Sequence, residues 1–433
     1  MSHRIESCRL EYRNWPLEVW LHELEIRHKE EIQLGLSRIT AVARRLSLLQ
    51  PEARIITVAG TNGKGSTVAA LQYMYLCAGY QVGTYTSPHL ETFNERITVN
   101  GVPISDHALV EAFSVIEEAR ADVHLTYFEV ATLAALYHFN HYPLDVIILE
   151  VGLGGRLDAT NIIDNDLAII TTIDFDHQNY LGHTLDQIGH EKAGILRPGK
   201  PFIYADKNPP ASVMEKARQL KCLTFINGEH YQYQDRSGQF ELNFGQSITE
   251  LDSPNLHGNA VGAAIMAAKI LHHDLPVAPG QLREGLSMAK LPGRLQLIDN
   301  MPHSVLLDVA HNAQAAENLA KYIAKTFPGR TIHAVFSALS DKNIPALIAP
   351  LKPLVNAWYA AQLQNQRAST VKQLELAFAT NEIYNVFCHN TPLAAYQAAC
   401  EQLNEGDLIV IYGSFFTVSS VLPAIRVTLS ERN

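Results

Sequence analysis

The sequence predicts an α/β fold in which helices cover parallel β-sheets. Short apolar runs rich in β-branched residues alternate with helical patterns along most of the chain. With 433 residues the chain is too long for one ordinary hydrophobic core, so more than one domain is expected. A Pro-Gly break at 291–294 precedes a second round of the alternation. We therefore expect a larger domain over residues 1–293 and a smaller one over 294–433.

Four runs in the first domain are typical of buried strands in a parallel sheet, at residues 55–59, 82–86, 145–151 and 167–175. Helical patterns lie between them at 66–79 and 127–140. The Asn-Gly pair within residues 95–104 predicts a hairpin inserted into the sheet order. Residues 200–255 are more irregular, and the small residues of 258–273 predict another helix.

The second domain repeats the pattern, with predicted strands at 304–310, 332–338 and 407–413 and a helix from Asn312. An uncharged run at 408–425 nominally reaches the length of a membrane span. Its glycine, proline and hydroxyl residues favour a strand, a turn and a short helix instead. No membrane segment is therefore expected.

Composition and charge exclude several classes of protein. At 47% hydrophobic and 18% charged residues, the make-up is that of a globular protein rather than a disordered one. The formal net charge of −10 argues against nucleic acid and anionic membranes as partners. The opening segment lacks the apolar region of a secretory signal, so a cytoplasmic location is expected. Five scattered cysteines agree with free thiols in a reducing compartment: Cys8, Cys77, Cys222, Cys388 and Cys400.

A first glycine-rich loop, residues 60–66, follows a predicted strand and precedes a predicted helix. It departs from the usual phosphate-binding pattern, because Val58 replaces the first glycine and Gly65 separates Lys64 from Ser66. Its three glycines still allow backbone N–H groups to turn toward an anion, and the helix directs its positive end there. We predict that this loop binds nucleotide phosphates, with Lys64 beside the β- and γ-phosphates. A turn that binds nothing is the less favoured alternative.

A second glycine-rich loop, residues 152–161, follows the strand that ends near Glu150. Leu157 replaces the third glycine of a dinucleotide fingerprint and no clear helix follows, so the loop does not indicate NAD binding. Ser87, Glu150 and His177 each follow or end a predicted strand, and each is a weak indication by itself. Because ligands of parallel sheets bind at the carboxyl ends of strands, the three together predict a magnesium site.

A further helix is predicted after Thr184, which forms a capping box with Gln187. Its apolar face consists of Leu185, Ile188, Ile195 and Leu196. Lys192 lies within that face, although an ammonium group without a partner is costly to bury. Two interpretations stay open from the residues alone. Either the lysine stem packs while the amine reaches water, or the lysine has a chemical function.

Nine motifs follow one another along residues 15–425: GTNGKGS, TSPHLETFNERI, LTYFE, ILEVGLGGRLDATN, TTIDFDHQNYLG, IGHEKAGILRPG, LPGRLQ, DVAHNAQAA and GSFFTV. In their order and spacing they resemble the motifs of the folylpolyglutamate synthases. The likeness is strongest to the bacterial bifunctional dihydrofolate synthase/folylpolyglutamate synthases of the Mur ligase superfamily. The resemblance implies a P-loop parallel-sheet ATPase domain, which also carries a pterin site, followed by a smaller Rossmann-like α/β domain for glutamate ligation.

The activity that this resemblance implies is an ATP-dependent ligation of a carboxylate to the amine of glutamate, through an acyl phosphate. The implied ligands are ATP, dihydropteroate, tetrahydrofolates and L-glutamate, with two magnesium sites. Lys192 corresponds to a lysine that the family carries as a CO2-derived carbamate. An apolar setting favours the neutral amine, which is the form that reacts with CO2. A monomer is expected on the same basis.

The residues that match the family's sites form four groups. The ATP group comprises Thr61, Asn62, Gly63, Lys64, Gly65, Ser66, Asn259, Arg294 and Asp308. The metal group comprises Ser87, Glu150, His177 and Lys192 as its carbamate. The pterin group comprises Leu34, Phe128, Asp158 and Ala159. His311 and Ser414 are assigned to glutamate or to the reaction intermediate.

Two departures and three alternatives qualify the resemblance. Phe416 stands where many relatives have histidine, and the segment around Asn259 lacks their GxHQ pattern. A cell-wall ligase acting on a UDP-sugar peptide is disfavoured, because only 59 residues precede Gly60. The LTYFE stretch argues against a monofunctional folylpolyglutamate synthase. A nucleotide-binding switch without ligation is disfavoured by the metal group, since two metals suit chemistry better than sensing.

Overall fold

The computed structural model describes residues 12, 15–27, 33–236, 238–299 and 303–430. The chain forms two compact units, Met1–Lys290 and Leu291–Asn433. Cys8 and most of the opening segment lie outside the described residues. The other four cysteines are free thiols. No helix within the described ranges combines the length and the apolarity needed to cross a membrane.

The main sheet of the first unit has eight strands. They are β1 (Arg54–Ala59), β2 (Val82–Tyr85), β3 (Ile97–Val99), β4 (Val102–Pro103), β5 (Val146–Glu150), β6 (Leu167–Ile170), β7 (Pro201–Tyr204) and β8 (Leu223–Ile226). Their order across the sheet is β4-β3-β2-β5-β1-β6-β7-β8. The β2–β3 and β3–β4 pairs are antiparallel, and every other pair of this sheet is parallel. The predicted hairpin is confirmed, with φ of 52° at Asn100 and 76° at Gly101.

Ten helices are described in the first unit. They are α1 (Leu17–Arg27), α2 (Ser37–Arg45), α3 (Lys64–Cys77), α4 (Asp106–Arg120), α5 (Tyr127–Phe139), α6 (Gln178–Leu181), α7 (Leu185–Lys192), α8 (Ala211–Gln219), α9 (Gly258–Ile270) and α10 (Pro279–Met288). Successive residues of a strand point to opposite faces of the sheet. Accordingly Ile56 packs in the core that contains α3, α9 and α10, whereas Ile55 packs in the core that contains α1, α2, α4 and α5. The predicted α/β fold with helices on both faces of a parallel sheet is confirmed.

The segment at 200–255, predicted to be irregular, is largely regular. After β7, α8 and β8 it forms a separate antiparallel sheet of β9 (Tyr231–Arg236), β10 (Gln239–Phe244) and β11 (Ser247–Asp252). Its buried residues join the core under α9; they are Tyr231, Phe240, Leu242 and Leu251. The prediction was wrong because most residues of these strands are polar, and only one face is buried.

The second unit contains one six-stranded sheet. Its strands are β12 (Gln296–Ile298), β13 (Ser304–Leu307), β14 (Ile332–Phe336), β15 (Ala357–Ala361), β16 (Val386–His389) and β17 (Leu408–Tyr412), in the order β12-β13-β17-β14-β15-β16. Only β12 pairs in antiparallel fashion. Its described helices are α11 (Ala313–Thr326), α12 (Ile344–Ile348), α13 (Val371–Thr380), α14 (Pro392–Cys400) and α15 (Phe415–Ser430). The helix after β17 is thus longer than the short one predicted.

Two local predictions need correction where the chain approaches the candidate site. Strand β6 ends at Ile170, and residues 171–175 leave the sheet to contact the first glycine-rich loop. Helix α7 begins with the predicted capping box of Thr184 and Gln187. Leu185 was placed on its buried face, yet this side chain is 39% exposed, because it lies in the first turn, where the helix meets solvent.

Candidate functional site

The site lies at the carboxyl ends of four neighbouring strands. The sheet order β2-β5-β1-β6 brings together segments that are far apart in the chain. Ser87 follows β2, Glu150 ends β5, the first glycine-rich loop follows β1, and residues 171–177 follow β6. Topology therefore places three of the four predicted metal residues around the predicted phosphate loop.

The first glycine-rich loop has the backbone geometry that its glycines permit. Gly60 has a φ of 151°, and a Cβ atom there would lie 1.8 Å from Thr171 Oγ1. Gly63 has a φ of 83° and precedes α3, whose first residue is Lys64. Only glycine adopts such conformations without strain. The loop therefore leads directly into a helix N-terminus, where backbone N–H groups without intrahelical partners can bind an anion.

Two threonines after β6 anchor this loop. Thr172 Oγ1 accepts a hydrogen bond from Asn62 N at 3.1 Å and donates one to Asn62 O at 3.3 Å. Thr171 Oγ1 donates to Asn62 O at 2.6 Å, and Thr61 N donates to Thr172 O at 2.8 Å. Thr61 Oγ1 in turn accepts from Asp174 N at 3.0 Å. The shape of the loop is thus fixed by the segment that follows β6.

Lys192 is buried against the same loop. The residue is 3% exposed, and its Nζ donates a hydrogen bond of 2.8 Å to Gly60 O. Lys64 Nζ lies 3.2 Å from the same carbonyl oxygen. Burial lowers the pKa of Lys192 to about 7, and the charge of Lys64 acts in the same direction, against Asp176 and Asp158. The buried amine bonds to a carbonyl instead of reaching water, so the packed-stem interpretation is wrong, and the burial favours the neutral form of the amine.

The predicted metal residues lie at the same edge of the sheet. Glu150 is 4% exposed, and its Oε2 accepts a hydrogen bond of 3.2 Å from Ser87 N. His177 has a φ of 49° and precedes α6, with its Nε2 3.9 Å from Asp176 Oδ2. Asp176 also faces Lys192 closely enough to affect its pKa. The carboxylate of Glu150 thus bonds to the backbone of Ser87, and Asp176 lies near both His177 and Lys192.

This donor set fits a hard divalent cation. Carboxylate and hydroxyl oxygens suit Mg2+ or Mn2+, and a buried carboxylate such as Glu150 is stabilised by a nearby positive charge. No group of three or more His, Cys, Asp or Glu residues in the described part of the chain could hold a metal ion. The predicted site does not require such a group, because it draws on the Ser87 hydroxyl and on the oxygens that a carbamate would add to Lys192.

The second glycine-rich loop brings the predicted pterin residues toward the same edge. Gly35 N, next to Leu34, donates a hydrogen bond of 3.3 Å to Leu157 O. Phe128, in the first turn of α5, packs so closely on Gly152 that a Cβ atom there would lie 2.5 Å from Phe128 Cζ. The Phe128 ring also lies 5.9 Å from the Tyr85 ring. Phe128 thus contacts this loop directly, and Leu34 precedes a residue that is hydrogen-bonded to it.

Asp158 has a structural role inside the second loop. Its Oδ2 accepts a bond of 2.9 Å from Leu153 N, and its Oδ1 accepts bonds from Thr160 N and Thr160 Oγ1 at 3.0 and 2.7 Å. Burial raises the pKa of Asp158 above its ordinary value, although these hydrogen bonds oppose that change. Ala159, the next residue, is 5% exposed. The carboxylate therefore fixes the loop, whatever it contributes to a ligand.

Asn259 lies in the first turn of α9, next to the separate antiparallel sheet. Tyr233 Oη donates a hydrogen bond to Asn259 Oδ1. The Tyr233 ring stacks on Phe240 with centroids 5.2 Å apart. The amide of Asn259 is thus held by a tyrosine that no sequence motif had singled out.

In the second unit, Arg294, Asp308 and His311 lie near the carboxyl end of β13. Asp308 is 3% exposed, and its carboxylate accepts hydrogen bonds from Leu295 N at 2.9 Å and Ala310 N at 2.8 Å. The guanidinium of Arg294 lies 5.1 Å from the centroid of the Phe415 ring. The His311 ring lies 6.2 Å from the same ring. Phe415 therefore brings two of the predicted site residues together.

Ser414 and Phe416 flank that phenylalanine. Ser414 is 3% exposed and caps α15, since its Oγ accepts a bond of 3.0 Å from Thr417 N. Its hydroxyl also lies 2.7 Å from Thr417 Oγ1. Phe416 is 50% exposed, so the position where many relatives carry histidine faces solvent in this unit. Ser414 has a clear structural role as a cap.

Sequence reasoning missed three supporting residues. Thr171 and Thr172 lie in a run that was assigned wholly to a strand, and Tyr233 lies in a segment called irregular. The adjacent threonines just before IDFDH were the available signal, because two buried hydroxyls at a strand end need partners. For Tyr233 no local signal existed, since its contact with Asn259 spans 26 residues.

Two family models match the chain. The Mur ligase middle domain matches residues 58–262, and the Mur ligase glutamate ligase domain matches residues 293–415. The chain is 39% identical over 412 residues to the dihydrofolate synthase/folylpolyglutamate synthase of Escherichia coli K12, covering 95% of this chain and 96% of that protein.

Solved structures show the same similarity. Escherichia coli FolC in complex with DHPP and ADP superimposes with a TM-score of 0.91 at 38% identity, covering 96% of this chain and 99% of that one. A bifunctional folylpolyglutamate synthase/dihydrofolate synthase with Mn, AMPPNP and L-glutamate bound gives a TM-score of 0.88 at 38% identity, with the same coverage. Each similarity extends over both units.

Proposed function

The chain belongs to the dihydrofolate synthase/folylpolyglutamate synthases of the Mur ligase family, and we propose that it joins L-glutamate to dihydropteroate and to tetrahydrofolates. It is an ATP-dependent carboxylate–amine ligase that forms ADP and phosphate. The observation that carries the substrate assignment is similarity of 38% to 39% over nearly the full length to bifunctional relatives, one bound to DHPP and ADP. The site agrees with it, because an anion-binding loop, a carboxylate and a buried lysine meet at one sheet edge.

The reaction has three steps. The γ-phosphoryl group of ATP passes to the substrate carboxylate and gives an acyl phosphate and ADP. The amine of glutamate then attacks the acyl carbon, and the tetrahedral intermediate expels phosphate as the amide forms. The attacking nitrogen loses a proton in the process. Catalysis consists mainly of positioning and charge neutralisation, as in other phosphoryl transfers.

The first glycine-rich loop would hold the phosphates. Backbone N–H groups from Thr61 to Ser66 and the Lys64 ammonium provide positive charge where negative charge develops. The threonines after β6 keep Asn62 and Thr61 in place. Asn259, Arg294 and Asp308 are also proposed to contact ATP.

Magnesium would be held by Ser87, Glu150 and His177, with a second ion at the Lys192 carbamate. When bound, magnesium supplies charge neutralisation for the phosphoryl oxygens. Lys192 supports the carbamate proposal by its burial and its lowered pKa, because CO2 adds only to the neutral amine. In the unmodified state the same nitrogen donates to Gly60 O.

Leu34, Phe128, Asp158 and Ala159 are proposed to form the pterin site. Phe128 offers an aromatic face over the second glycine-rich loop, and Asp158 fixes that loop. His311 and Ser414 are proposed to contact glutamate or the intermediate, although the hydroxyl of Ser414 already caps α15. A monomeric state and a cytoplasmic location stay predictions.

Phosphate release by the pure protein tests the function. The assay contains MgATP, L-glutamate and bicarbonate, with either dihydropteroate or tetrahydrofolate as acceptor, and mass spectrometry identifies the glutamylated product. We expect turnover with both acceptors. Turnover with tetrahydrofolate alone would mean that the chain is monofunctional and that the four pterin residues are misassigned. If no phosphate is released with either acceptor, the proposed folate ligase activity is wrong.

A 13C NMR spectrum of protein equilibrated with labelled bicarbonate tests the carbamate on Lys192. We expect a carbamate signal in the native protein and none in Lys192→Met, which keeps the length of the stem and cannot react. Lys200→Met is the matched control, because Lys200 lies on an exposed surface pair with Asp166 and should leave the signal unchanged. A native protein without the signal would contradict the proposal.

A further inference from the structure

Asn259 has a side chain whose orientation is set by one neighbour. Its Oδ1 accepts the hydrogen bond from Tyr233 Oη. Within the described part of the chain, its Nδ2 group makes no hydrogen bond of its own. An amide has one acceptor oxygen and two N–H donors. Because the oxygen is turned toward Tyr233, the N–H donors on the opposite side of the amide are the groups that Asn259 presents away from the phenol.

The Tyr233 ring has little freedom to move away from this contact. It stacks on Phe240 with an interplanar angle of 16°. On its other side it contacts α9, where a Cβ atom at Gly258 would lie 2.5 Å from Tyr233 Cε2. Burial raises the pKa of Tyr233 to about 12, with Asp206 and Asp235 acting in the same direction, so the phenol keeps its proton. The hydroxyl is therefore a fixed donor.

We propose that Tyr233 is a positioning residue for ATP, which orients the Asn259 amide so that its N–H groups face the nucleotide. The inference rests on the proposed function, in which Asn259 contacts ATP. Without the phenol, the amide is free to rotate by half a turn and to present its oxygen, which repels the acceptor atoms of a nucleotide. Tyr233 itself does not touch the reacting atoms. It acts on nucleotide affinity rather than on the chemical step.

Tyr233→Phe is the decisive variant, because it removes one hydroxyl and keeps the stacked ring. We expect the KM for ATP to rise about fivefold, the loss typical of one hydrogen bond, with kcat and the KM for tetrahydrofolate unchanged. The Kd of the non-hydrolysable analogue AMPPNP, measured by calorimetry, should rise by the same factor. Asn259→Ala should show at least this effect, and Tyr233→Phe should add nothing to it in the double variant.

Tyr231→Phe is the matched control. Tyr231 lies two residues earlier in β9 on the same face, is 2% exposed, and its hydroxyl lies 3.4 Å from Tyr204 O. Its loss should affect stability without changing the KM for ATP. A merely structural role for Tyr233 would lower the melting temperature in the same way and leave the Kd of AMPPNP unchanged.

The outcomes separate this inference from the proposed function. If the native protein turns over both folate acceptors and Tyr233→Phe binds AMPPNP as tightly as the native protein does, the inference is wrong and the function stands. Additive effects in the double variant would also overturn it, because the two side chains would then act independently. If the native protein binds AMPPNP and ligates nothing, the proposed function fails while the affinity measurements still test Tyr233.

Discussion

Thr171 and Thr172 show how single buried hydroxyls shape a loop that makes few contacts of its own. Both are almost fully buried, and together they contact the N–H and the carbonyl of Asn62. A backbone group left without a partner inside a protein costs about 1–3 kcal/mol. The two side chains therefore hold the first glycine-rich loop in one conformation before a ligand arrives.

Thr172→Val should raise the KM for ATP about tenfold, because the isosteric methyl cannot bond to Asn62. Steady-state kinetics at saturating folate and glutamate measure this change. Thr172→Ser keeps the hydroxyl and should restore the native KM. An equal effect from valine and serine would show that packing of the methyl group, and not the hydrogen bond, holds the loop.

Lys192 and Asp158 show how much of a side chain's role can be predicted from the sequence alone. A lysine within an apolar helical face was visible in the sequence, and the structure confirms that the residue is buried, with its amine bonded to Gly60 O. That it carries a carbamate comes from the family resemblance and stays a proposal. Asp158 was recognised only as a motif match, since the four N–H and O–H donors around its carboxylate depend on how the loop folds.

At the scale of elements, one ion cluster ties α1 to α4. Glu117 of α4 accepts a hydrogen bond of 2.6 Å from Arg27 NH1 of α1, and Arg120 also pairs with it. The Glu117 side chain is 11% exposed and the Arg27 side chain 16%. Burial by itself raises the pKa of Glu117, but the hydrogen bonds and charges of Arg120 and Arg27 outweigh it and lower the pKa below its usual range.

Glu117→Gln should lower the free energy of unfolding by about 2 kcal/mol at pH 7, because it removes the carboxylate that two partly buried arginines share. Arg27 keeps its weaker pair with Glu23. As the pH falls, Glu117 of the unmutated protein takes up a proton in the unfolded state before it does so in the folded state, because its pKa is lower in the folded state. The stabilisation is therefore complete above about pH 5 and is lost as the pH falls through the range below it. Urea unfolding at several pH values measures both effects.

The exposed pair of Lys352 and Glu382 is the control for that experiment. The two side chains are 42% and 77% exposed, so Glu382→Gln should change the unfolding free energy by less than about 0.5 kcal/mol. If both glutamine variants change the free energy of unfolding by the same amount, the burial of the Glu117 cluster does not increase its contribution to stability.

Most elements of the parallel sheets were predictable because their signals are local. Runs such as 55–59 and 145–151 are mostly apolar, as buried parallel strands are, and the Asn100-Gly101 turn allows only a few backbone shapes. The antiparallel sheet of β9, β10 and β11 was missed, since its pattern becomes visible only with a helix against one face. The end of β6 was missed because the next residues have strand propensity but bond to the first glycine-rich loop instead.

At the scale of the whole molecule, the candidate site depends on strand order. Residues from Leu34 to Lys192 meet at one edge because β1 lies between β5 and β6, and β2 lies beside β5. Chain order alone does not give this arrangement, and in the sequence analysis it entered as a general rule for parallel sheets. What the sequence predicted from residues was a set of candidates; what the fold adds is their adjacency.

A bound nucleotide should stabilise the whole protein. At one hundred times its Kd, MgAMPPNP should raise the free energy of unfolding by about 2.7 kcal/mol, which thermal unfolding reports as a higher melting temperature. Lys64→Met should abolish most of this shift, because Lys64 is proposed to neutralise the phosphates. Lys269→Met, in the last turn of α9, is the control and should keep the increase in melting temperature. A full shift in Lys64→Met would place the nucleotide elsewhere.

The contact between Gly60 and Thr171 has a consequence for heredity. Any side chain at position 60 would enter the space of the Thr171 hydroxyl, 1.8 Å from a new Cβ atom. Replacing Thr171 first would make room, but it would also release Asn62. Position 60 would also keep its φ of 151°, a backbone conformation that strains any residue other than glycine, so the change at position 60 is harmful in either order. Glycine should therefore persist at position 60 while neighbouring surface positions diverge, both during evolution of the gene and in a laboratory library of single-codon variants.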